Sequence, residues 1–241
     1  MEKVLVDTSL TAALGLGFLL GLRHALDADH VAAMSALVSR HHSLTLSCVL
    51  GTCWGAGHTV ALLTAGVAII TFQLTISPEM AWVFEMAVAV VLIFLGADVL
   101  LRSVGPLTLH RHAHAHESHA HSHLHTHTGV QDGPGHTHLL TVGRRPFLVG
   151  LLHGMAGSAA LMLLVLTTIP SLVGRFLYLL VFGIGSTMAM LLLSGLLGIP
   201  FAASAPRSET TQVVLQALAG GASLVVGVVL VWTLGHSYQV R

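Results

Sequence analysis

The stretch that decides the fold runs from Gly21 to His30 and reads GLRHALDADH. It places five ionisable side chains inside an otherwise apolar run from Leu10 to Val38. An unpaired charge at the depth of a lipid bilayer costs about 3 kcal/mol or more. These side chains must therefore face partners or a water-filled cavity, which makes the stretch a candidate functional site.

The composition indicates a membrane protein. Hydrophobic residues make up 54% of the 241 residues, charged residues make up only 8%, and the mean hydropathy is +0.83. Soluble domains carry about 25% charged residues. Ten Lys and Arg are balanced by ten Asp and Glu, so the chain lacks the basic stripe that a nucleic-acid backbone requires. We therefore expect a lipid bilayer around the chain and no nucleic-acid partner.

Six apolar runs are long enough to cross a hydrocarbon core of about 30 Å. They predict an all-α integral membrane protein with six transmembrane helices. The first helix is predicted to be broken around the polar cluster, because a broken helix is tolerated where protein or water covers its backbone. The predicted spans are Leu10–Val38, Leu46–Phe72, Ala81–Leu101, Phe147–Ile169, Arg175–Ile199 and Gln212–Leu234.

The two halves of the chain resemble each other. The segment Gly21–His24 aligns with Gly150–His153, and Gly57–Thr59 aligns with Gly185–Thr187 at nearly the same distance downstream. Because three spans per half is an odd number, the halves are predicted to be inverted relative to each other about a two-fold axis in the membrane plane. Such inverted repeats are typical of transporters that alternate access.

The similarity extends to the third span of each half, where Glu85 precedes Gly96 as Gln216 precedes Gly227. Arginines cluster beside the first, third and fifth loops, which by the positive-inside rule lie in the cytoplasm. Both termini then lie on the outer side of the membrane. The predicted division is a three-helix repeat over 1–109, a cytoplasmic His-rich loop over 110–138 and a second three-helix repeat over 139–241.

The loop over 110–138 holds eleven of the eighteen histidines. It contains Gly133-Pro134-Gly135 and almost no large apolar residues, so it is predicted to be disordered without a ligand. Closely spaced imidazoles bind nickel, cobalt, copper or zinc. We interpret this His tract as a metal-collecting tether, with a plain low-complexity linker as the alternative.

The first span carries candidate metal ligands. At about 100° per residue on a continuous helix, His24, Asp27 and His30 share one face while Asp29 points away. Two imidazoles and a carboxylate suit a divalent first-row metal ion. Asp29 either joins them through an unwound segment or forms a buried ion pair with Arg23.

Two further histidines lie in other spans. His58 stands beside glycines that permit close helix approach, and His153 is the second-half counterpart of His24. Each is a predicted ligand, with a hydrogen-bonded core histidine as the alternative. Glu85 and Asp98 in the third span either support the ligands and handle protons or are interfacial. The predicted metal-site residues are His24, Asp27, Asp29, His30, His58 and His153.

The segment His24–His30 matches the H-x-x-x-x-D-H signature of the nickel/cobalt transporter family. The resemblance extends to Gly55–Thr59, to the His tract, and to the segment from Gly150 to Ala160, which is similar to the urease accessory transporter-like branch. It implies uptake of Ni²⁺, or of Co²⁺, by a secondary transporter with a midplane site, the metal being substrate and not cofactor. It also implies that His24, Asp29 and His30 are essential. Cytoplasmic nickel chaperones or urease and hydrogenase maturation proteins are the implied partners.

Other functions stay open. A six-span branch of the same family exports nickel and cobalt, so efflux is an alternative to uptake. A membrane metal sensor or storage protein would use the same ligands. An intramembrane metalloenzyme is not expected, because the H-E-x-x-H helix is absent from the sequence, and direct ATP coupling is not expected, because the phosphate-cradling Gly-rich loop is absent.

Overall fold

The computed structural model describes residues 2–74, 77–103, 108–116, 119–127, 139–156, 169–204 and 209–239. Within these ranges two strands, β1 (Thr108–His116) and β2 (His119–His127), form an antiparallel hairpin. The helices of the described ranges are α1 (Glu2–His24), α2 (Ala28–Val38), α3 (Leu44–Phe72), α4 (Pro78–Ser103), α5 (Leu139–Gly154), α6 (Leu172–Ser204) and α7 (Glu209–Gln239).

Among the described helices, α3, α4, α6 and α7 are each long and apolar enough to cross a membrane. Helices α1 and α2 form a further candidate span that is bent by 55° at the break between them. The chain is therefore a helical, multi-pass membrane protein, and its first span is interrupted where the polar cluster predicts. The span predicted over 147–169 begins within α5, but residues 157–168 lie outside the described part, so the count of six spans stays a prediction.

Asp27 determines where the first span breaks. The backbone N–H groups of Leu26 and Asp27 donate to the carbonyl oxygens of Arg23 and His24 at 2.9 and 3.1 Å, which closes a tight turn. Asp27 then takes the extended conformation of a helix N-cap, with φ −62° and ψ 147°. An Asp at this position and Asp29 in the first turn both favour a new helix, because a helix begins with partial positive charge.

Helix α3 is the central helix of the described bundle. It packs against α5 and α6, while α1 packs against α6 and α4 packs against α7. Where α3 crosses α6, the Thr59 hydroxyl donates to the carbonyl oxygen of Gly183 at 3.0 Å and lies 2.9 Å from the Thr187 hydroxyl. These polar contacts fix the register of the two helices.

Glycines at matching positions of the two halves make matching contacts. A Cβ atom at Gly21 would overlap the backbone carbonyl oxygen of Phe182, and a Cβ atom at Gly150 would overlap that of Trp54. Helix α1 therefore approaches α6 in the way that α5 approaches α3. In both cases the missing side chain lets two backbones touch.

A second pair of glycines, on the partner helices α3 and α6, makes matching contacts back to α5 and α1. A Cβ atom at Gly57 of α3 would overlap the carbonyl oxygen of Phe147, and one at Gly185 of α6 would lie 2.5 Å from that of Phe18. Phe18 and Phe147 each precede the first glycine of their half, Gly21 or Gly150, by three residues. The two interfaces are thus built from corresponding residues.

Helices α4 and α7 touch through the same kind of contact. A Cβ atom at Gly96 would lie 2.5 Å from the carbonyl oxygen of Gly220, and one at Gly227 would lie 2.8 Å from that of Ala89. Gly96 and Gly227 occupy corresponding positions in the two halves. The third helix of each half therefore packs on the other through equivalent glycines.

An ion cluster holds the end of α2 on α4. The Asp98 carboxylate accepts hydrogen bonds from Arg40 and, at 2.7 Å, from Arg102. The Gln216 side chain of α7 also donates to the carbonyl oxygen of Ser39, at 3.3 Å. The ends of α2 and α4 consequently lie together at one end of the bundle, and the Asp98 carboxylate stabilises their contact.

The described part of the His tract consists of strands, and its disorder without a ligand stays a prediction. Strands β1 and β2 pair in antiparallel register, with His110 opposite His125 and His116 opposite His119. Histidine alternates with other residues along both strands, and this period of two is the repeat of an extended strand. Pairing also satisfies backbone groups. Residues 128–138 lie outside the described part of the chain, and the division at 109 and 139 stays a prediction.

Gly21→Ala and Gly150→Ala are each expected to destabilise the folded protein by about 1–3 kcal/mol, the usual cost of overpacking. The added methyl group would meet a backbone carbonyl that cannot move without shifting a helix. Gly15→Ala is the matched control, since a Cβ atom there meets nothing within 4 Å. The measurement is the thermal unfolding of purified protein in detergent, and equal unfolding temperatures for all three variants would contradict these helix contacts.

Candidate metal centre

His24 is the last residue of α1, and its ring is held by the turn that follows. Its Nδ1 lies 2.9 Å from a carboxylate oxygen of Asp27. Asp27 occupies the N-cap position of α2, but its side chain makes no cap hydrogen bond there. An imidazole that donates from Nδ1 to a carboxylate leaves Nε2 with a free lone pair. The Nε2 atom of His24 is buried and has no hydrogen-bond partner.

His30, in the first turn of α2, repeats this arrangement. Its Nδ1 lies 3.0 Å from a carboxylate oxygen of Asp29, and the same oxygen accepts the His30 backbone N–H at 2.9 Å. The Nε2 atom of His30 is also buried without a partner. Each aspartate of the motif therefore orients the histidine beside it.

His58 and His153 come from α3 and α5 and are fully enclosed. His58 is 0% exposed, and neither of its ring nitrogens has a hydrogen-bond partner. The Nε2 atom of His153 lies 3.3 Å from the second carboxylate oxygen of Asp29, without the alignment of a hydrogen bond. These are the unpaired buried nitrogens that a metal ion would use.

The structure brings these side chains together in two overlapping groups. His24, His30 and His58 offer three nitrogens that lie within 4.8 Å of one another, and we call this group the imidazole triad. Asp29, His30 and His153 offer ligand atoms within the same limit and form the carboxylate triad. The His30 ring centroid lies 4.6, 5.4 and 4.7 Å from those of His24, His58 and His153. His30 is thus common to both.

The break in the first span changes the predicted geometry. The prediction that His24, Asp27 and His30 share a face assumed a continuous helix, and it is wrong because residues 25–27 form a turn. Asp27 lies outside both triads, whereas Asp29 belongs to one. Among the described residues Asp29 pairs with His30 and His153, not with Arg23. Whether the six candidate residues bind metal stays a prediction.

The helix ends around the triads favour a cation. Helix α1 ends at His24 and α5 ends at Gly154, next to His153. The last turn of a helix carries partial negative charge on its unpaired carbonyl groups. Two such ends meet the positive start of α2, which begins at Ala28, so on balance the helix ends favour a positive ion there.

Two buried residues at the centre were not predicted. Trp54 is 1% exposed, its ring lies 5.3 Å from that of His153 and 6.2 Å from that of His30, and its indole N–H has no hydrogen-bond partner. Its position four residues before His58 was the available signal, because such residues share a helix face. The buried Ser186 hydroxyl is also unpartnered, and Ser186 is the second-half counterpart of His58.

Glu85 lies away from both triads. It lines a cavity of about 630 Å³ between the start of α4 and the end of α7, together with Glu79 and Trp82. No triad residue lines this cavity. The candidate support or proton-handling role of Glu85 therefore stays a prediction without a contact to the site.

Comparison with known proteins finds a relative that spans nearly the whole chain. The urease accessory protein UreH of Bacillus sp. (strain TB-90) is 36% identical over 236 residues, which cover 95% of this chain and 94% of that protein. No family profile matches the chain. No solved structure matches it.

In metal-free protein, His58→Leu is expected to be neutral or stabilising by about 1–3 kcal/mol, because it removes two buried nitrogens that lack partners. His30→Leu, which removes the ligand common to both triads, should lose most of the stabilisation that Ni²⁺ gives, which is about 2.7 kcal/mol at 100 times the Kd. The measurement is thermal unfolding with and without Ni²⁺, in a chain whose eleven His-tract histidines are replaced by serine.

His236→Leu is the matched control, because His236 is exposed near the end of α7 and should affect neither quantity. If His58→Leu were destabilised without metal, His58 would be a packing residue. If His30→Leu still gained stability from Ni²⁺, the two triads would not be the Ni²⁺ site.

Proposed function

The chain belongs to the family of the urease accessory protein UreH, and from this premise we propose that it is a secondary transporter that carries Ni²⁺ across the membrane. Co²⁺ is the alternative substrate. The observation that carries the proposal is the set of buried, unpaired nitrogens on His24, His30 and His58 beside a break in a membrane span. A resident structural ion and a transported ion would both use such nitrogens, but a broken span between two half-helices favours transport.

The donor set supports a divalent first-row metal. Imidazole nitrogens together with one carboxylate suit nickel, cobalt, zinc and copper better than magnesium or calcium, which prefer oxygen ligands. The resemblance of His24–His30 to the nickel/cobalt transporter signature selects nickel and cobalt among these metals. The relative is named a urease accessory protein, which agrees with delivery of metal to a maturing enzyme.

The reciprocal glycine contacts support an inverted repeat. Gly21 contacts the Phe182 carbonyl group as Gly150 contacts that of Trp54. Gly96 and Gly227 likewise each contact a backbone carbonyl group of the opposite helix. A two-fold axis in the membrane plane would relate each of these contacts to its partner. Transporters with this symmetry change access by moving one half against the other around a fixed site.

We further propose that the protein works in uptake, in the inner (cytoplasmic) membrane. The orientation has the His tract in the cytoplasm and both termini outside. It is supported by the Asp98 carboxylate, which contacts both Arg40 and Arg102. The first and third loops therefore begin at the same end of the bundle. This agrees with the orientation in which the odd loops carry most of the basic residues. The His tract would then collect incoming metal and pass it to nickel chaperones or to urease and hydrogenase maturation proteins.

Reconstituted protein is expected to carry radioactive ⁶³Ni²⁺ into proteoliposomes, with Co²⁺ competing strongly and Zn²⁺ and Mn²⁺ competing weakly. His24→Ala should lower the flux by about 100-fold or more, because loss of even a supporting partner of a metal ligand costs 10- to 100-fold. His236→Ala is the matched control, since His236 lies outside both triads.

Flux that persisted in His24→Ala would remove the motif from the mechanism. Direction is read in cells: expression should raise the Ni²⁺ content if the protein imports, and lower it if the protein exports. Bound Ni²⁺ without flux in wild-type protein would favour a sensor or storage protein.

A further inference from the structure

His30 connects two metal-binding arrangements that differ in chemistry. The imidazole triad offers three neutral nitrogens from His24, His30 and His58, whereas the carboxylate triad replaces two of these with Asp29 and His153. The ring of His30 lies within 5.4 Å of every other histidine of the centre. An ion in either triad would therefore be bound by His30.

The two triads cannot both be filled through His30. A neutral imidazole has one lone pair available to a metal, because its other nitrogen carries a proton. An ion in one triad consequently withdraws His30 from the other. Single occupancy follows, with two alternative positions for the ion.

Exposure distinguishes the two positions. The His24 side chain of the imidazole triad is 12% exposed and touches Asp27, whose side chain is 51% exposed. The carboxylate triad ends at His153, whose side chain is 1% exposed, although its Asp29 side chain remains 26% exposed. Solvent therefore reaches the imidazole triad through His24, on the Asp27 side, and the carboxylate triad through Asp29, which is the more exposed of these two ligands.

Charge orders the two positions in affinity. In the carboxylate triad Asp29 would bind the dication directly, whereas in the imidazole triad Asp27 and Asp29 act only through their hydrogen bonds to His24 and His30. At low dielectric this difference favours the carboxylate triad. An ion that arrives at His24 and His58 would thus move on towards His153.

We propose that the ion crosses the centre by ligand exchange, leaving His24 and His58 for Asp29 and His153 while His30 stays bound. The inference rests on the proposed transport function and adds to it two successive sites with one shared ligand. His24 and His153 are corresponding residues of the two halves, so the exchange replaces ligands from the first half by a set that includes one from the second half.

The test uses the full-length chain with its eleven His-tract histidines replaced by serine, so that only the centre binds metal. The probe is Co²⁺ alone, whose visible absorption depends on the nitrogen and oxygen atoms that bind it. Stoichiometry and Kd are measured on purified protein, and ⁶³Ni²⁺ flux is measured on the same variants in proteoliposomes.

The parent chain should bind one Co²⁺. His24→Ala should bind one Co²⁺ with a nearly unchanged Kd and spectrum, because the carboxylate triad is intact, and yet lose its flux. His153→Ala should bind about 10- to 100-fold more weakly, with a spectrum shifted towards all-nitrogen ligands, and should also lose its flux. His30→Ala should lose binding at both positions, and His236→Ala should behave like the parent chain.

Three results would overturn the exchange. These are two Co²⁺ ions bound by the parent chain, an equal loss of affinity with identical spectra in His24→Ala and His153→Ala, and normal flux in His153→Ala. Failure of the proposed function is a separate outcome, since the parent chain would then show no Ni²⁺ flux whatever its Co²⁺ spectra. Size-exclusion profiles like that of the parent chain show that each variant is folded.

Discussion

The candidate metal centre is governed by the free-energy cost of burying polar atoms that have no hydrogen-bond partner. Both nitrogens of His58 and the Nε2 atoms of His24 and His30 are buried without hydrogen bonds. Each such group costs about 1–3 kcal/mol, against a total stability of about 5–15 kcal/mol for a typical domain. A chain that keeps several of them in one place has little reason to do so for packing alone. A bound dication would supply the missing partner for one nitrogen of each of these three histidines at once.

The rest of the bundle brings these atoms together. The break after His24 lets Asp27 turn to this histidine and give up its side-chain role as a helix cap. Glycines then let the helices approach to backbone contact, so that α3 and α5 bring His58 and His153 to the broken span. Helix dipoles add to this arrangement, because α1 and α5 both end at the centre with partial negative charge. The same contacts that stabilise the bundle therefore position the ligands.

The two halves of the chain make matching helix contacts, but they contribute different numbers of candidate ligands. Contacts of Gly21 and Gly150 match one another, and His24 and His153 correspond, but His58 corresponds to Ser186 and the two aspartates have no acidic counterpart. An even scaffold suits a transporter that has two equivalent outer states. In the proposed transport cycle, an uneven ligand set would give the ion a preferred position between them, and this would be the physical basis for passing it from one triad to the other.

The sequence by itself determined that the chain spans a membrane, that its first span breaks near Asp27, and that polar residues such as His24, His30 and His58 form the candidate site. These conclusions follow from composition and from the cost of charge in lipid, which depend on local residues only. The tertiary structure alone decided that Asp27 orients His24, that Asp29 lies beside His153, and that Trp54 packs against the histidines of the centre. It also decided the strand pairing in the His tract. Such features depend on the angle of a helix break and on contacts between distant helices, and neither is encoded in the spacing of residues along one helix.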